Sequence, residues 1–92
     1  MVVIVVERVP VSLRGELTRW LLELQAGVFV GDVSAMVRDR LWERVCKGVR
    51  GGGALLAHGT DTEQGFAFRF WGTTSRQVVD FDGLMLMQRS RD

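Results

Sequence analysis

Val28-Phe29-Val30-Gly31-Asp32-Val33-Ser34 is the stretch whose reading decides the fold. Three apolar residues of high β propensity make a short strand. Gly31 and Asp32 interrupt it. Ser34 then stands where a helix begins, as an N-cap that accepts from a backbone N–H of the first turn. Beyond it, Val37, Leu41, Val45 and Val49 recur on one helical stripe, while Arg38, Arg40, Arg44 and Lys47 fall on more polar faces. Glu43 is placed to pair with Lys47 at i,i+4. Gly51-Gly52-Gly53 stops this helix.

Working upstream, Gly27 suits the residue just after a helix. Leu13, Leu17, Trp20, Leu21 and Leu24 recur at helical spacing, which predicts a first helix capped by Ser12. Arg19 and Glu23 then become an i,i+4 pair. Pro10 closes the segment before it, Val2-Val3-Ile4-Val5-Val6, whose apolar character on both faces reads as a central, fully buried strand. Downstream the period changes. Residues 54–58 and 66–71 read as strands joined by a turn at 59–65, with Phe66, Phe68 and Phe70 on one face and Ala67, Arg69 and Trp71 on the other. Residues 78–81 and 84–87 form two further short extended runs, joined at Asp82-Gly83.

The order is strand, helix, strand or strand pair, helix, strand, strand, then terminal strands. Two helices against one mostly antiparallel sheet predict an α+β, ferredoxin-like split βαβ fold. The whole chain, 1–92, makes one domain, with a core over about 1–72 and extra C-terminal strands over about 77–88. Those late strands exceed the fold's need and are candidates for pairing with another chain at a sheet edge. Together with the phenylalanine row, they predict a homodimer.

A net charge of +1 does not announce a nucleic-acid binder, so any such binding comes from a local patch. Of the 12 basic residues Lys47 is the one lysine, and an arginine bias suits phosphate recognition as well as it reflects codon usage. Cys46 is the single cysteine, which excludes an internal disulfide and fits a reducing cytoplasm. It reads as a packing residue. The run from Val2 to Val6 is too short for a signal-peptide core or a membrane span. His58, the lone histidine, reads as a packed, hydrogen-bonded residue. No P-loop, dinucleotide fingerprint, zinc spacing or nucleophile elbow is present.

Two sets of residues carry chemistry. Glu7 ends the first strand, and Asp80 and Asp82 share one face of a late strand. Brought together, Glu7 and Asp80 could hold Mg²⁺ for phosphodiester cleavage. The competing reading is a solvated strand end and a turn former, and Arg8 beside Glu7 favours it. The basic set is Arg14, Arg38, Arg40 and Arg76. Arg14 is expected in the first turn of the first helix, where its guanidinium and the free N–H groups address one phosphate together. Each alone is a plausible solvated charge. Gathered on one edge and doubled by a two-fold axis, they make a track for a duplex backbone.

The stretches Val9-Pro10, Leu13-Arg14-Gly15, Trp20-Leu21-Leu22-Glu23, Ala26-Gly27-Val28-Phe29-Val30-Gly31-Asp32-Val33-Ser34-Ala35, Leu41-Trp42-Glu43, Thr60-Asp61-Thr62-Glu63-Gln64-Gly65-Phe66 and Val79-Asp80-Phe81-Asp82-Gly83-Leu84 resemble the CRISPR-associated Cas-two family, in its short type I-E variant. The resemblance implies a homodimer lying between two dimers of the Cas-one integrase, capturing a prespacer DNA duplex for insertion into the CRISPR array. It implies a scaffold role, with no catalytic residue and no required cofactor. Other branches are metal-dependent endoribonucleases or DNases, whose metal-binding Asp ends the first strand. Here that region reads Val6-Glu7-Arg8, so Mg²⁺ enters only in the nuclease alternative. The resemblance assigns Arg14, Arg38 and Arg76 to DNA, and it places Ser12, Met36 and Ser75 where the family has further basic residues. Arg40 is the candidate to compensate. Docking on the integrase is implied for Val78, Val79, Phe81, Leu84 and Leu86.

Overall fold

In a computed structural model, residues 1–72 other than 62 and 64 are described. The elements are β1 (Val2–Val6), α1 (Val11–Leu17), β2 (Leu22–Gln25), β3 (Val28–Gly31), α2 (Ala35–Gly48), β4 (Gly53–Gly59) and β5 (Phe66–Gly72). The described strands form one sheet in the order β2-β3-β1-β4-β5, with every neighbouring pair antiparallel. β1 and β2 flank β3, which is the split βαβ arrangement. The fold is α+β and compatible with the ferredoxin-like expectation, with β5 added beyond β4. The runs at 78–81 and 84–87 lie outside the described residues.

Both helices pack on one face of the sheet. Val2, Ile4, Val6, Phe29, Ala54 and Leu56 meet Leu13, Leu17, Leu21, Leu41, Trp42 and Val45 in one cluster. Phe29 is fully buried and pairs in register with Ile4, which pairs in turn with Leu56. Cys46 packs against the same cluster, as read from sequence, and burial pushes its thiol pKa up. Ser34 caps α2 as expected, its Oγ accepting from Val37 N at 3.2 Å. The Glu43–Lys47 pair also forms, at 3.4 Å.

The first helix is shorter than its apolar spacing predicts. It ends at Leu17, where the Thr18 hydroxyl donates to the carbonyls of Arg14 and Gly15. Leu13, Leu17 and Leu21 are buried, but Trp20 and Leu24 are 53% and 61% exposed, so the stripe does not continue. Residues 22–25 instead form an edge strand on β3. Gly27 is therefore a hairpin turn residue and not a helix stop. Its φ is +82°, and a Cβ there would lie 2.4 Å from the Val6 carbonyl oxygen, so only glycine fits. Pro10, not Ser12, occupies the N-cap, and no side chain caps the helix. The expected Arg19–Glu23 pair is absent; Glu23 pairs with Arg14.

β1 is central, as predicted, but the described residues cover it fully on the helix side alone. Val2, Ile4 and Val6 are buried while Val3 and Val5 are half-buried. Register places Leu22, Val30, Val3, Ala57 and Phe68 in one cross-strand row on the face away from the helices. Val28, Val5, Leu55 and Phe70 form a second row on that face. The phenylalanine row lies there too, with Phe66 and Phe68 rings edge-to-face at 5.2 Å.

Candidate functional site

Of the sequence-selected arginines, the described ones, Arg14, Arg38 and Arg40, do not gather on one edge. Arg14 is the fourth residue of α1, and its own N–H already bonds to Pro10 O at 2.9 Å. No joint address of one phosphate by guanidinium and helix N-terminus follows. Its side chain instead reaches β2, where Nε lies 3.0 Å and 3.1 Å from the two Glu23 carboxylate oxygens. Glu23 Oε2 also accepts from Gly27 N at 3.0 Å, which ties α1 to the β2–β3 hairpin. That backbone N–H holds the Glu23 carboxyl below its ordinary value; burial opposes the shift and Arg14 adds to it.

A depressed carboxyl stabilises the fold above the unfolded value and loses that contribution as pH falls through the folded value. Glu23 should therefore make the protein less stable as pH drops below about 4.5. In Glu23→Gln, urea midpoints should fall less steeply with pH across that window than in wild type. Parallel wild-type and variant profiles would rule Glu23 out as a contributor.

Arg38 lies at the other end of the sheet. Its Nε donates to Asp39 Oδ1 at 3.0 Å, and its Nη1 is 3.1 Å from His58 Nδ1 on β4. Glu23 and His58 belong to strands three spacings apart, about 14 Å of sheet. Asp39 also takes Arg69 Nη2 from β5 at 3.2 Å. The Arg38 hydrogen bond holds the Asp39 carboxyl below its ordinary value, with Arg69 adding to the effect. His58 is thus packed and hydrogen-bonded, as expected. Its Nδ1 also lies 3.0 Å from Gly59 O; it accepts from Arg38 when unprotonated and donates to that carbonyl when protonated.

Arg40 is two residues from Arg38 and faces elsewhere. It lines a groove of about 630 Å³ between the helices, with Trp20, Met36, Leu41 and the Glu16–Arg44 ion pair around it. Glu7 is bound into the structure. Its Oε1 accepts from Gly53 N at 2.9 Å, and its own N–H donates to Gly53 O at the same distance. Among the described residues no three His, Cys, Asp or Glu side chains gather as metal ligands. Arg76, Asp80, Val78, Val79, Phe81, Leu84 and Leu86 lie outside the described residues. No described helix is long and apolar enough to cross a membrane.

Sequence reasoning missed Glu23 as the partner of Arg14, Asp39 and His58 as partners of Arg38, and Arg69 as the second partner of Asp39. A signal existed for Arg69: it is the one charge in the run Phe66-Ala67-Phe68-Arg69-Phe70-Trp71 and falls on the helix side of the alternation.

A 2-3-1-4 antiparallel sheet under two helices, with Arg14 paired to Glu23 at one end and Arg38 and Arg69 joined through Asp39 at the other, defines a small ferredoxin-like α+β protein. The sequence model of a family described as CRISPR-associated protein (Cas_Cas2CT1978) matches residues 1–86. The chain belongs to that CRISPR-associated family, the Cas-two type that its sequence resembles.

Proposed function

We propose that this chain is a non-catalytic scaffold of the CRISPR spacer-acquisition complex, a homodimer that holds prespacer duplex DNA by its phosphates and bridges Cas-one integrase dimers. The observation that carries the scaffold role is the use made of Glu7. At the position where nuclease branches place their metal-binding Asp, this carboxylate accepts the Gly53 N–H and pins β1 to β4. Metal binding there would have to share a carboxylate already engaged by that N–H and would set a cation beside Arg8.

Support for the homodimer comes from the sheet face that the helices and the other described residues leave partly exposed. Val3, Val5, Val28, Val30 and Phe70 lie on it, partly exposed, and Leu22 is 64% exposed. An apolar face of this kind on a central sheet is the surface a second copy covers.

The test uses Glu7→Gln, which keeps an acceptor for Gly53. Spacer acquisition by the variant should match wild type. Purified wild type incubated with RNA and duplex DNA should cleave neither more in Mg²⁺ than in EDTA. Mg²⁺-dependent cleavage abolished by Glu7→Gln would instead establish the nuclease alternative.

A further inference from the structure

We propose that Arg38 and Arg69, joined through Asp39 over the β4–β5 edge, form a clamp for a duplex backbone phosphate, and that Arg69 supplies its net positive charge. The inference rests on the DNA-holding reading above and adds a residue that neither the sequence pattern nor the resemblance assigns to DNA.

Charge accounting carries the argument. Asp39 Oδ1 accepts from Arg38 Nε at 3.0 Å and forms an ion pair with Arg69 Nη2 at 3.2 Å. Arg38 also meets His58 Nδ1, which accepts in the tautomer that carries no proton on that nitrogen. Two guanidiniums and one carboxylate leave one positive charge. Remove Arg69, and Arg38 and Asp39 cancel. The carboxylate is what allows two like charges to share the site, and both guanidiniums keep it ionised.

Exposure decides which arginine reaches a ligand. The Arg38 side chain is 17% exposed, whereas that of Arg69 is 41% exposed. Arg38 orients Asp39, and Asp39 orients Arg69. Arg69 stands on β5, the outermost described strand at that end, with Phe68 and Phe70 turned to the opposite face. Asp39 engages one nitrogen of the Arg69 fork, and the remaining N–H donors suit two oxygens of one phosphate. A guanidinium directed at phosphate reads no base, which suits a duplex of any sequence.

The experiment is a salt titration of binding to a short blunt DNA duplex by the full chain assembled with the integrase, with the integrase alone as reference. The variants are Arg69→Gln, Arg69→Lys and Asp39→Asn, each with a melting temperature. Loss of one phosphate contact per copy should flatten the log–log slope by about 0.9, or about 1.8 in a dimer. Arg69→Gln should show that change and bind about tenfold more weakly. Arg69→Lys should keep the slope, and Asp39→Asn should steepen it.

A complex that grips duplex better than the integrase alone, yet is unchanged by Arg69→Gln, overturns the clamp and leaves the scaffold reading standing. Arg69→Lys failing like Arg69→Gln, with the same drop in melting temperature, makes Arg69 a tie between β5 and α2 and also overturns it. A complex that binds no better than the integrase alone overturns the DNA-holding reading itself.

Discussion

A lysine at Val5 should turn the protein into a monomer with its fold intact. Val5 lies on β1, the middle strand of the described sheet, between Val28 and Leu55 on the face the helices do not cover. In a single chain it is half-buried, so a lysine can lay its stem along Val28 and Leu55 and hold its ammonium in water. Far-ultraviolet circular dichroism should then be unchanged. In a two-fold dimer built on this face, the same ammonium enters twice and is desolvated each time without a partner. At about 2 kcal/mol or more per buried, unpaired charge, the dimer loses at least about 4 kcal/mol, roughly a 10³-fold rise in Kd. Sedimentation at micromolar concentration should show a dimer for wild type and a monomer for Val5→Lys. A wild-type monomer, or a lysine variant that still dimerises, would remove this face as the interface.

The same strand shows how far the sequence can be read. Apolar residues on both sides of β1 were legible, and they correctly place it in the middle of the sheet. Local pattern cannot say what covers each face. The helices cover Val2, Ile4 and Val6; Val3 and Val5 remain half-buried in the isolated chain. α2, β4 and β5 were legible because each has a period and a stop of its own: Ser34, the glycine run, and an alternating phenylalanine row. The segment 18–25 was not. Leu17, Leu21 and Leu24 fit a helix, while Leu22-Glu23-Leu24 fits a strand equally well. What decides is pairing with β3, Leu22 to Val30 and Glu23 to Phe29, which lies beyond any local window.

The candidate site shows the same division. Which arginines to examine was legible from composition and resemblance. What neutralises them was not. Glu23 is nine residues from Arg14, and helical spacing instead pairs it with Arg19. Asp39 is adjacent to Arg38, but its second guanidinium arrives from β5 only when the sheet forms. Arg14 and Arg38 do not share one edge, because their side chains bond to β2 and β4, three strand spacings apart.

Replacing Arg14, Arg38 and Arg76 together by Ala should nearly abolish this subunit's contribution to duplex binding. The resemblance assigns each to a phosphate, Arg38 acting through the Arg69 it sets by way of Asp39, and a dimer presents each twice, giving about six contacts. Counterion release sets an upper bound on the slope of about −5 from these residues. At about 1 kcal/mol for each charge-assisted hydrogen bond, the loss approaches 6 kcal/mol, roughly 10⁴-fold. The structure adds a reason for the loss to be severe. Deleting Arg14 leaves the Glu23 carboxylate bonded to Gly27 N alone, a negative charge that no guanidinium balances and that repels phosphates. Deleting Arg38 likewise leaves Asp39 to neutralise Arg69, so the clamp on β5 falls to zero net charge. The effect should be the same for duplexes of unrelated sequence, since phosphates and not base edges are involved. Integrase docking, assigned to the separate segment 78–86, should persist, and co-purification with the integrase checks that the variant is assembled. The measurement is duplex binding by the assembled complex from low to moderate salt. A slope that the triple substitution leaves unchanged would show that the integrase alone grips the DNA, and that these arginines serve the fold through Glu23 and Asp39.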